Sequence, residues 1–543
     1  MRADRMKTGV HWLAAVVVAV CLLVFMRSLS CDFINWDDPL YVTENPAIRI
    51  LDWEFVRSAF TTSYMGWWMP LTWISFALDY RMWGLNPFGY HLTNILLHAA
   101  NAGLVVLIAD QLFGPYFKKA GCPAWVARTA ALFSGLLWGI HPLRVESVAW
   151  VTERKDVLNG LFALGSVLLY LYFVQRKDRG EKGPAVVFIY LCSLFFLFLS
   201  ITAKPVSVVI PAMLLVMDWY PLGRLIRGGI AGCITEKIPF ALISLATALA
   251  TLYLASGDAI LVSFHDLSLY KRLIMAGNAI FEYLRMTIYP AGLTNLYLIP
   301  QVFPVSYYLG ALASGAAMIY CATGWRSRPW QLSTMLLFLL PLLPVLGFFQ
   351  NGAQAYADRF TYLPGVALSI AAAGFLGHRL SGLRGARRML LSLVALAVVL
   401  ILASLSVHLT AAWQNAETLW TRVIEQQPAG RAFYLRAEDR MRKGRYQDAA
   451  DDLAVSIRMG EDAGYPGVFY LHALRGDALS KAGRYESAVK EFTTAIRLKP
   501  YSSFLYQRGM ALKALGRQRA AEDDFREAGG DDWPLDWRNI PDN

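Results

Sequence analysis

Long apolar runs separated by short polar segments fill the first 410 residues of the chain. A helix that crosses a bilayer needs ~17–25 mostly apolar residues, and this pattern therefore predicts an all-α, polytopic membrane protein. The candidate crossings are 9–27, 90–113, 125–142, 156–174, 185–203, 205–219, 237–256, 272–289, 305–323, 331–349, 361–379 and 388–408.

Basic loops between these runs predict how the chain is oriented. Arg176–Lys182, Arg326–Arg328 and Arg379–Arg388 carry the clearest positive charge, which predicts that they face the cytoplasm. Two loops on the same side of a membrane must be separated by an even number of crossings. Because an odd number of runs separates the first two of these loops, one of those runs does not cross. The short run 205–219 contains two prolines, and we interpret it as that exception. The sequence thus predicts about eleven crossings, a cytoplasmic N-terminus and an extracytoplasmic C-terminal tail.

The tail from residue 411 has a different pattern. It contains 20 acidic and 20 basic residues, and small residues, Gly, Tyr and Ala recur in it at fixed spacing. Gly483 follows Gly444 by 39 residues and precedes Gly516 by 33, close to the 34-residue period of tetratricopeptide repeats. The pattern predicts a membrane domain at 1–410 and an α-solenoid at 411–543, with repeats at 430–460, 469–500 and 502–529.

Composition narrows the class of protein further. The chain is 56% hydrophobic and 17% charged, with a net charge of +11. Because acidic and basic residues are equal in number in the tail, the whole excess of positive charge lies among the apolar runs. This distribution disfavours nucleic-acid binding. The six cysteines are scattered without metal-ligand spacing, and they indicate small buried side chains rather than a disulfide framework.

Two adjacent carboxylates, Asp37 and Asp38, follow the first run within the predicted first external loop, 28–89. Like charges side by side raise the pKa of one of the two groups, which suits a general base. The same Asp-Asp-Pro string also fits a solvated turn, and sequence alone leaves both interpretations open. Asn45 lies in the same stretch.

A second string rich in titratable groups lies between two apolar runs and contains His141, Glu146 and Arg154. His and Glu five residues apart are weak evidence for a metal site, and an ion-pair network fits equally well. Two further cations, Lys204 and Arg359, stand at predicted outer helix ends, where charge is costly and marks candidate functional residues. Tyr362 follows Arg359 closely. Such cations either bind a lipid phosphate or anchor the helix at the interface.

The order of these elements resembles one family. Asp37-Asp38 after the first run, His-Pro-x-x-x-Glu-x-Val, Lys204-Pro and Asp-Arg359-x-x-Tyr-Leu-Pro are followed by tetratricopeptide repeats. This arrangement is similar to that of the transmembrane and tetratricopeptide-repeat O-mannosyltransferases and their bacterial relatives, in the GT-C glycosyltransferase superfamily.

The resemblance implies a hexosyltransferase of a bacterial inner membrane. It would move a sugar from a polyprenyl-phosphate donor to a hydroxyl acceptor, a protein Ser or Thr, with inversion on the extracytoplasmic face. Asp37 would be the base with Asp38 beside it. Arg154, Lys204 and Arg359 would bind the donor phosphate, supported by His141, Glu146, Asn45 and Tyr362. The repeats would bind the protein or peptide acceptor. A divalent metal is compatible with this chemistry but not implied by it.

Two other functions also fit the pattern. A membrane scaffold could recruit envelope partners through the repeats, but it would not need charged clusters at outer helix ends. A transporter of lipid-linked sugars should show internal repeats among its crossings, and none is evident in the sequence.

Overall fold

The computed structural model describes residues 2–64, 66–227, 229–255, 268–347 and 354–529. The chain forms two compact units. One comprises the chain up to Phe33 together with Asp37–Trp413, and the other comprises Ile34–Trp36 together with the chain from Gln414 onward. The ends of the predicted runs 237–256 and 331–349 and of the predicted tail, residues 530–543, lie outside the described residues.

The first unit, here called the membrane unit, is helical, and each of the twelve predicted apolar runs overlaps a helix. Its α-helices are α1 (Arg2–Phe25), α2 (Trp53–Thr61), α3 (Pro70–Trp83), α4 (Pro87–Lys119), α5 (Ala124–Gly139), α6 (Val145–Ala149), α7 (Arg154–Asp178), α8 (Pro184–Ala203), α9 (Ile210–Trp219), α10 (Arg224–Arg227), α11 (Ile230–Ala255), α12 (Leu269–Ile288), α13 (Val305–Thr323), α14 (Pro329–Leu339), α15 (Gly365–Gly382) and α16 (Gly385–Thr410).

Short turns of 3-10 or π-helix connect several of these helices. They lie at Met26–Ser30, Pro39–Thr43, Ala47–Arg49, Pro142–Arg144, Val151–Glu153, Pro205–Val209, Leu340–Val345, Asp358–Thr361 and Ala411–Trp413. Two short strands, β1 (Tyr297–Leu298) and β2 (Gln354–Tyr356), pair antiparallel with Tyr297 opposite Tyr356.

Among the described residues, seven helical stretches are long and apolar enough to cross a membrane. They are Gly9–Ser30, Pro87–Lys119, Val151–Asp178, Pro184–Ala203, Ile230–Leu254, Val305–Thr323 and Gly385–Trp413. The weakest predicted crossing coincides with a shorter apolar helix, Pro205–Trp219. An integral membrane protein is thus confirmed, whereas the number eleven and the orientation stay predictions.

Helices α7 and α8 form a hairpin that positions the candidate site. At ~1.5 Å per residue, the 25 residues of α7 span ~37 Å, more than the ~30 Å hydrocarbon core. The basic loop Arg176–Lys182 joins the hairpin at one end. At the other end α7 begins with Arg154 and α8 ends before Lys204.

The loop between the first two long helices contains more structure than its sequence predicts. One helix in this loop is α2, whose first turn is capped by the Asp52 carboxylate accepting from the Phe55 amide at 2.8 Å. The sequence interpretation missed α3. Its Trp73 and Phe76 are buried in a cluster with residues of α4 and of the Val151–Glu153 turn.

The second unit, here called the repeat unit, contains three antiparallel helix pairs preceded by one further helix. Its α-helices are α17 (Ala416–Gln426), α18 (Gly430–Arg442), α19 (Tyr446–Asp462), α20 (Val468–Lys481), α21 (Tyr485–Leu498), α22 (Ser502–Ala514) and α23 (Gln518–Ala528). The pairs coincide with the three predicted repeats, so the tetratricopeptide fold of the tail is confirmed. The longer, 39-residue spacing between Gly444 and Gly483 is accommodated at the end of α19 and in the turn after it.

The spaced glycines have clear physical roles in these pairs. The equivalent residues Gly444, Gly483 and Gly516 turn each pair with φ of 74°, 76° and 73°, a left-handed conformation that glycine adopts without a Cβ clash. A Cβ on Gly476 would lie 2.9 Å from the Phe492 ring, so glycine also permits the close approach of α20 and α21.

Each repeat also contains one ion pair at the same position. Arg436 and Arg508 bind the carboxylates of Asp452 and Asp524 at 2.7 Å, sixteen residues further on. In the middle repeat Arg475 binds Glu491 at 2.5 Å with the same spacing. These pairs fasten the two helices of each repeat to one another.

Candidate functional site

A small recess opens in the membrane unit where the ends of α7 and α8 meet the segment before α15. It brings together Lys204 and Arg359, which the sequence predicts to bind phosphate. Its lining is Asp156, Asn159, Lys204, Val206, Pro341, Val345, Arg359, Phe360, Tyr362, Leu363 and Pro364.

Arg359 is held by Glu146, so the two motifs that contain them meet in space. The guanidinium Nη1 donates to Glu146 Oε1 at 2.6 Å, and the Arg359 backbone amide donates to Oε2 at 2.8 Å. Burial by itself would lower the pKa of Arg359, but the carboxylates of Glu146 and Glu153 outweigh it and raise that pKa above its ordinary value. Arg359 is therefore a permanent, fixed positive charge.

The turn that carries Arg359 is fixed by Arg144. The Arg144 guanidinium donates to the backbone oxygen and to the hydroxyl of Thr361 at 2.7 and 2.6 Å. On the far side of the turn, the Tyr297 hydroxyl donates to Asp358 at 2.8 Å. Burial raises the pKa of Asp358 well above its usual range, and the charge of Glu146 adds to this effect.

Lys204 stands at the end of α8 because Pro205 follows it. The residue before a proline avoids the helical conformation, and Lys204 is extended with φ −155° and ψ 126°. Its ammonium lies 2.5 Å from Asp156 and 3.7 Å from Glu153. The Asn159 amide donates to the Lys204 backbone oxygen at 2.9 Å, and α7 thus fixes the end of α8.

Sequence reasoning missed most of the acidic side of this cluster. Glu153 is buried within 3.1 Å of Lys155, 3.4 Å of Arg359 and 3.7 Å of Lys204. The only sign of this cluster in the sequence was the high density of titratable residues between positions 141 and 156, which favours an ion-pair network. Asn159 lies within an apolar run and gave no signal.

The two adjacent aspartates differ in their surroundings. Asp38 is completely buried, and its carboxylate accepts from the amide of Thr152 at 3.1 Å and from the Thr152 hydroxyl. It therefore anchors the loop to the turn before α7. Asp37 is half-buried, and its negative charge is close enough to contribute to the raised pKa of Arg359. Asp37 is not among the residues that line the recess.

Arg154 does not join the other predicted phosphate ligands. Its side chain is fully buried, and it donates to Asp79 at 2.5 Å, to Asn94 at 2.5 Å and to the Tyr90 backbone oxygen at 2.9 Å. These acceptors occupy the guanidinium and tie α7 to α3 and α4. We therefore correct the expectation for Arg154 to a structural ion pair.

The predicted supporting residues His141 and Asn45 also have local structural contacts. His141 Nδ1 accepts from the Leu143 amide at 3.2 Å, and its Nε2 lies 3.0 Å from the Thr287 backbone oxygen. Both ring nitrogens are thus used. Asn45 accepts from the Ala47 amide at 2.9 Å and shapes the loop after Asp37. Within the described parts of the chain, no group of three or more His, Cys, Asp or Glu side chains could hold a metal ion.

Tyr362 lines the recess while its hydroxyl is held within the helix bundle. The Asn101 amide donates to that hydroxyl at 2.9 Å, and His98 Nδ1 lies at the same distance. A Cβ on Gly160 would lie 2.7 Å from the Tyr362 ring, so α7 can approach the ring only with glycine there. His98 and Asn101 lie inside an apolar run and were not predicted.

Comparisons with known proteins place similarity in both parts of the chain. A family model described as tetratricopeptide repeat matches residues 413–466 and 474–534. Protein O-mannosyl-transferase tmtc2 of Xenopus laevis is 31% identical over 218 residues, 38% of this chain and 24% of the relative. Protein O-mannosyl-transferase TMTC4 of Homo sapiens is 30% identical over 223 residues, 39% of this chain and 30% of the relative.

Two solved membrane proteins were also found by structure. The Archaeoglobus fulgidus oligosaccharyltransferase tethered to an acceptor peptide is 13% identical with a TM-score of 0.43, and covers 77% of this chain and 58% of that one. ArnT from Cupriavidus metallidurans bound to undecaprenyl phosphate is 17% identical with a TM-score of 0.40, and covers 88% and 79%. Both TM-scores lie below 0.5.

The alignments span about a quarter to a third of the length of the curated relatives. Within that length, the sequence similarity confirms the predicted resemblance to O-mannosyltransferases that carry tetratricopeptide repeats.

Proposed function

We propose that this protein is a membrane glycosyltransferase that moves a sugar from a polyprenyl-phosphate donor to a hydroxyl acceptor. The observation that carries the proposal is the meeting of Lys204 and Arg359 at one recess. The charge of a loop carboxylate, Asp37, also acts on Arg359. Phosphate is a good leaving group, so such a transfer needs cations for the departing phosphate and a base for the acceptor.

Each residue then has a definite task in the reaction. An ammonium has three donors and a guanidinium five, and the ion pairs of Lys204 and Arg359 leave part of this capacity for phosphate oxygens. The acceptor oxygen attacks the anomeric carbon as the bond to the phosphate oxygen breaks. Asp37 takes the acceptor proton, and the electron pair of the broken bond leaves with the phosphate. One displacement inverts the anomeric configuration.

The names of the similar proteins suggest the substrates. Mannose is the sugar and protein Ser or Thr the acceptor in this proposal, because those relatives are protein O-mannosyl-transferases. We further propose that the repeat unit binds the acceptor polypeptide on its helical stack. The positive-inside rule predicts that the loop Arg176–Lys182 is cytoplasmic, and in this proposal the recess at the other end of α7 and α8 faces the extracytoplasmic side.

The test is transfer by purified full-length protein from polyprenyl-phosphate-mannose to a Ser/Thr-rich peptide. Asp37→Asn keeps the size of the side chain and removes its basicity, so turnover should fall by roughly 10²–10⁴-fold. Asp32→Asn is the matched control, because it makes the same change on an exposed side chain of the same loop. A product with the anomeric configuration of the donor, or normal turnover by Asp37→Asn, would contradict this mechanism.

A further inference from the structure

The segment just before the candidate base belongs to the repeat unit. Ile34–Trp36 is part of that compact unit, whereas Asp37 is part of the membrane unit. A single peptide bond therefore connects a residue held by the repeats to the residue proposed to take the acceptor proton. Asn35, in the middle of the segment, is buried with 4% of its surface exposed.

All the polar atoms of the Asn35 side chain are engaged by helices α17 and α18. Its amide nitrogen donates to the Leu435 backbone oxygen at 2.7 Å and to Glu438 at 3.0 Å. Its oxygen accepts from the Trp420 indole N–H at 2.8 Å. The neighbouring Trp36 ring lies 5.3 Å from the same indole.

These contacts specify asparagine in particular. The site offers two acceptors on one side and one donor on the other, and the carboxamide matches both at once. Aspartate would have no proton for Leu435 or Glu438 and would place two carboxylates together. Trp420 is itself completely buried, so the donor that orients Asn35 is fixed.

We propose that Asn35 is a positioning residue: its three hydrogen bonds fix the chain immediately before Asp37 and so limit where the Asp37 carboxylate can lie. The inference rests on the proposed function, since it concerns the residue proposed to take the acceptor proton. A misplacement of a catalytic group by ~1 Å costs ~10²-fold in rate. Loss of the three hydrogen bonds should therefore lower kcat about tenfold to a hundredfold while donor KM stays unchanged.

The experiment is a double-mutant cycle of Asn35→Ala and Asp37→Asn in the full-length protein, assayed with polyprenyl-phosphate-mannose and a Ser/Thr-rich peptide. If Asn35 acts through Asp37, its loss should have a much smaller effect when Asp37 is already Asn. Asn86→Ala, which removes an exposed amide that caps α4 through the Phe88 backbone, should leave kcat unchanged. Trp420→Phe removes the indole N–H donor and keeps an aromatic, although smaller, ring at this position, and it should lower kcat roughly threefold even if Asn35→Ala fails to fold.

Hydrogen exchange provides a readout independent of turnover. The amides of residues 33–38 should exchange faster in Trp420→Phe than in wild type, because the segment is then held less tightly. Wild-type kcat in both Asn35→Ala and Trp420→Phe, additive effects in the cycle, or a parallel rise of donor KM would overturn the proposal. Wild-type turnover by Asp37→Asn alone would instead contradict the proposed base, and the role of Asn35 would fall with it.

Discussion

Replacing Arg154 with Met should damage folding rather than donor binding. The substitution removes the partner of the Asp79 carboxylate and strands the Asn94 side-chain oxygen and the Tyr90 backbone oxygen, all buried. Asp79 would keep one neutral donor, the Thr93 hydroxyl at 2.8 Å. Breaking a buried ion pair from one side costs about 3–5 kcal/mol, which is a large part of the 5–15 kcal/mol stability of a typical protein.

The assay is thermal unfolding of the detergent-purified protein, followed by size-exclusion chromatography, with undecaprenyl-phosphate binding measured on the surviving fraction. Arg154→Met should give a low yield and an early transition, whereas the folded fraction should bind with wild-type affinity. Adding Asp79→Leu should restore part of the stability, because replacing both partners of a buried pair with apolar side chains is often nearly neutral. If Arg154→Met instead unfolds like the wild type but no longer binds undecaprenyl phosphate, then Arg154 binds the donor and the structural interpretation is wrong.

Two further predictions concern single side chains, and a third concerns the orientation of the chain in the membrane. Lys204→Met should weaken polyprenyl-phosphate binding about tenfold or more in a titration, since a charge-assisted hydrogen bond contributes about 1.5–3 kcal/mol; unchanged affinity would remove Lys204 from the site. Arg508→Gln should lower the free energy of unfolding of the third repeat by about 0.5–1 kcal/mol, measured by chemical denaturation, because the residue is partly exposed; the exposed Arg519→Gln should not. Cysteines introduced at 411–529 should react with an impermeant maleimide from outside, while those at Arg379–Arg388 should not.

The sequence was informative where a periodicity or an unusual charge carries the structure. Apolar runs of bilayer length and glycines near a 34-residue spacing predicted the helices and the repeats, because burial of one face and turns with positive φ both constrain residue type locally. Lys204 and Arg359 stood out since charge at the end of an apolar run is costly.

The missed features depend on contacts between distant segments. Arg154 was predicted to bind phosphate, but the fold brings α3 and α7 together and pairs it with Asp79. Asn35 and Trp420 are 385 residues apart, and neither has a local pattern that predicts their hydrogen bond. A buried asparagine in an apolar run, such as Asn159, has no periodicity of its own. Only the fold shows which buried polar groups satisfy one another.

The charge balance at the recess sets a condition on donor binding. The ion pairs around Lys204 and Arg359 join three carboxylates and three cations, whose charges sum to zero when all six groups are ionised. They are Glu146, Glu153, Asp156, Lys155, Lys204 and Arg359. A phosphodiester adds one negative charge. The Coulomb energy between two unit charges ~4 Å apart is ~4 kcal/mol near a protein surface, so this added charge has to be balanced. Uptake of one proton by a carboxylate would restore neutrality.

Donor binding should therefore take up protons and strengthen as the pH falls. By linkage, the affinity for a polyprenyl phosphodiester, whose own charge is constant, should rise by up to about tenfold per pH unit as the pH falls. Asp156→Asn removes one negative charge beside Lys204, so it should bind the phosphodiester more tightly at pH 8 and flatten the profile. Isothermal titration in two buffers of different ionisation enthalpy would count the protons directly. A flat wild-type profile with no proton uptake would mean that the ion pairs of Lys204 and Arg359 open instead, because the added charge must then be balanced by cations already present.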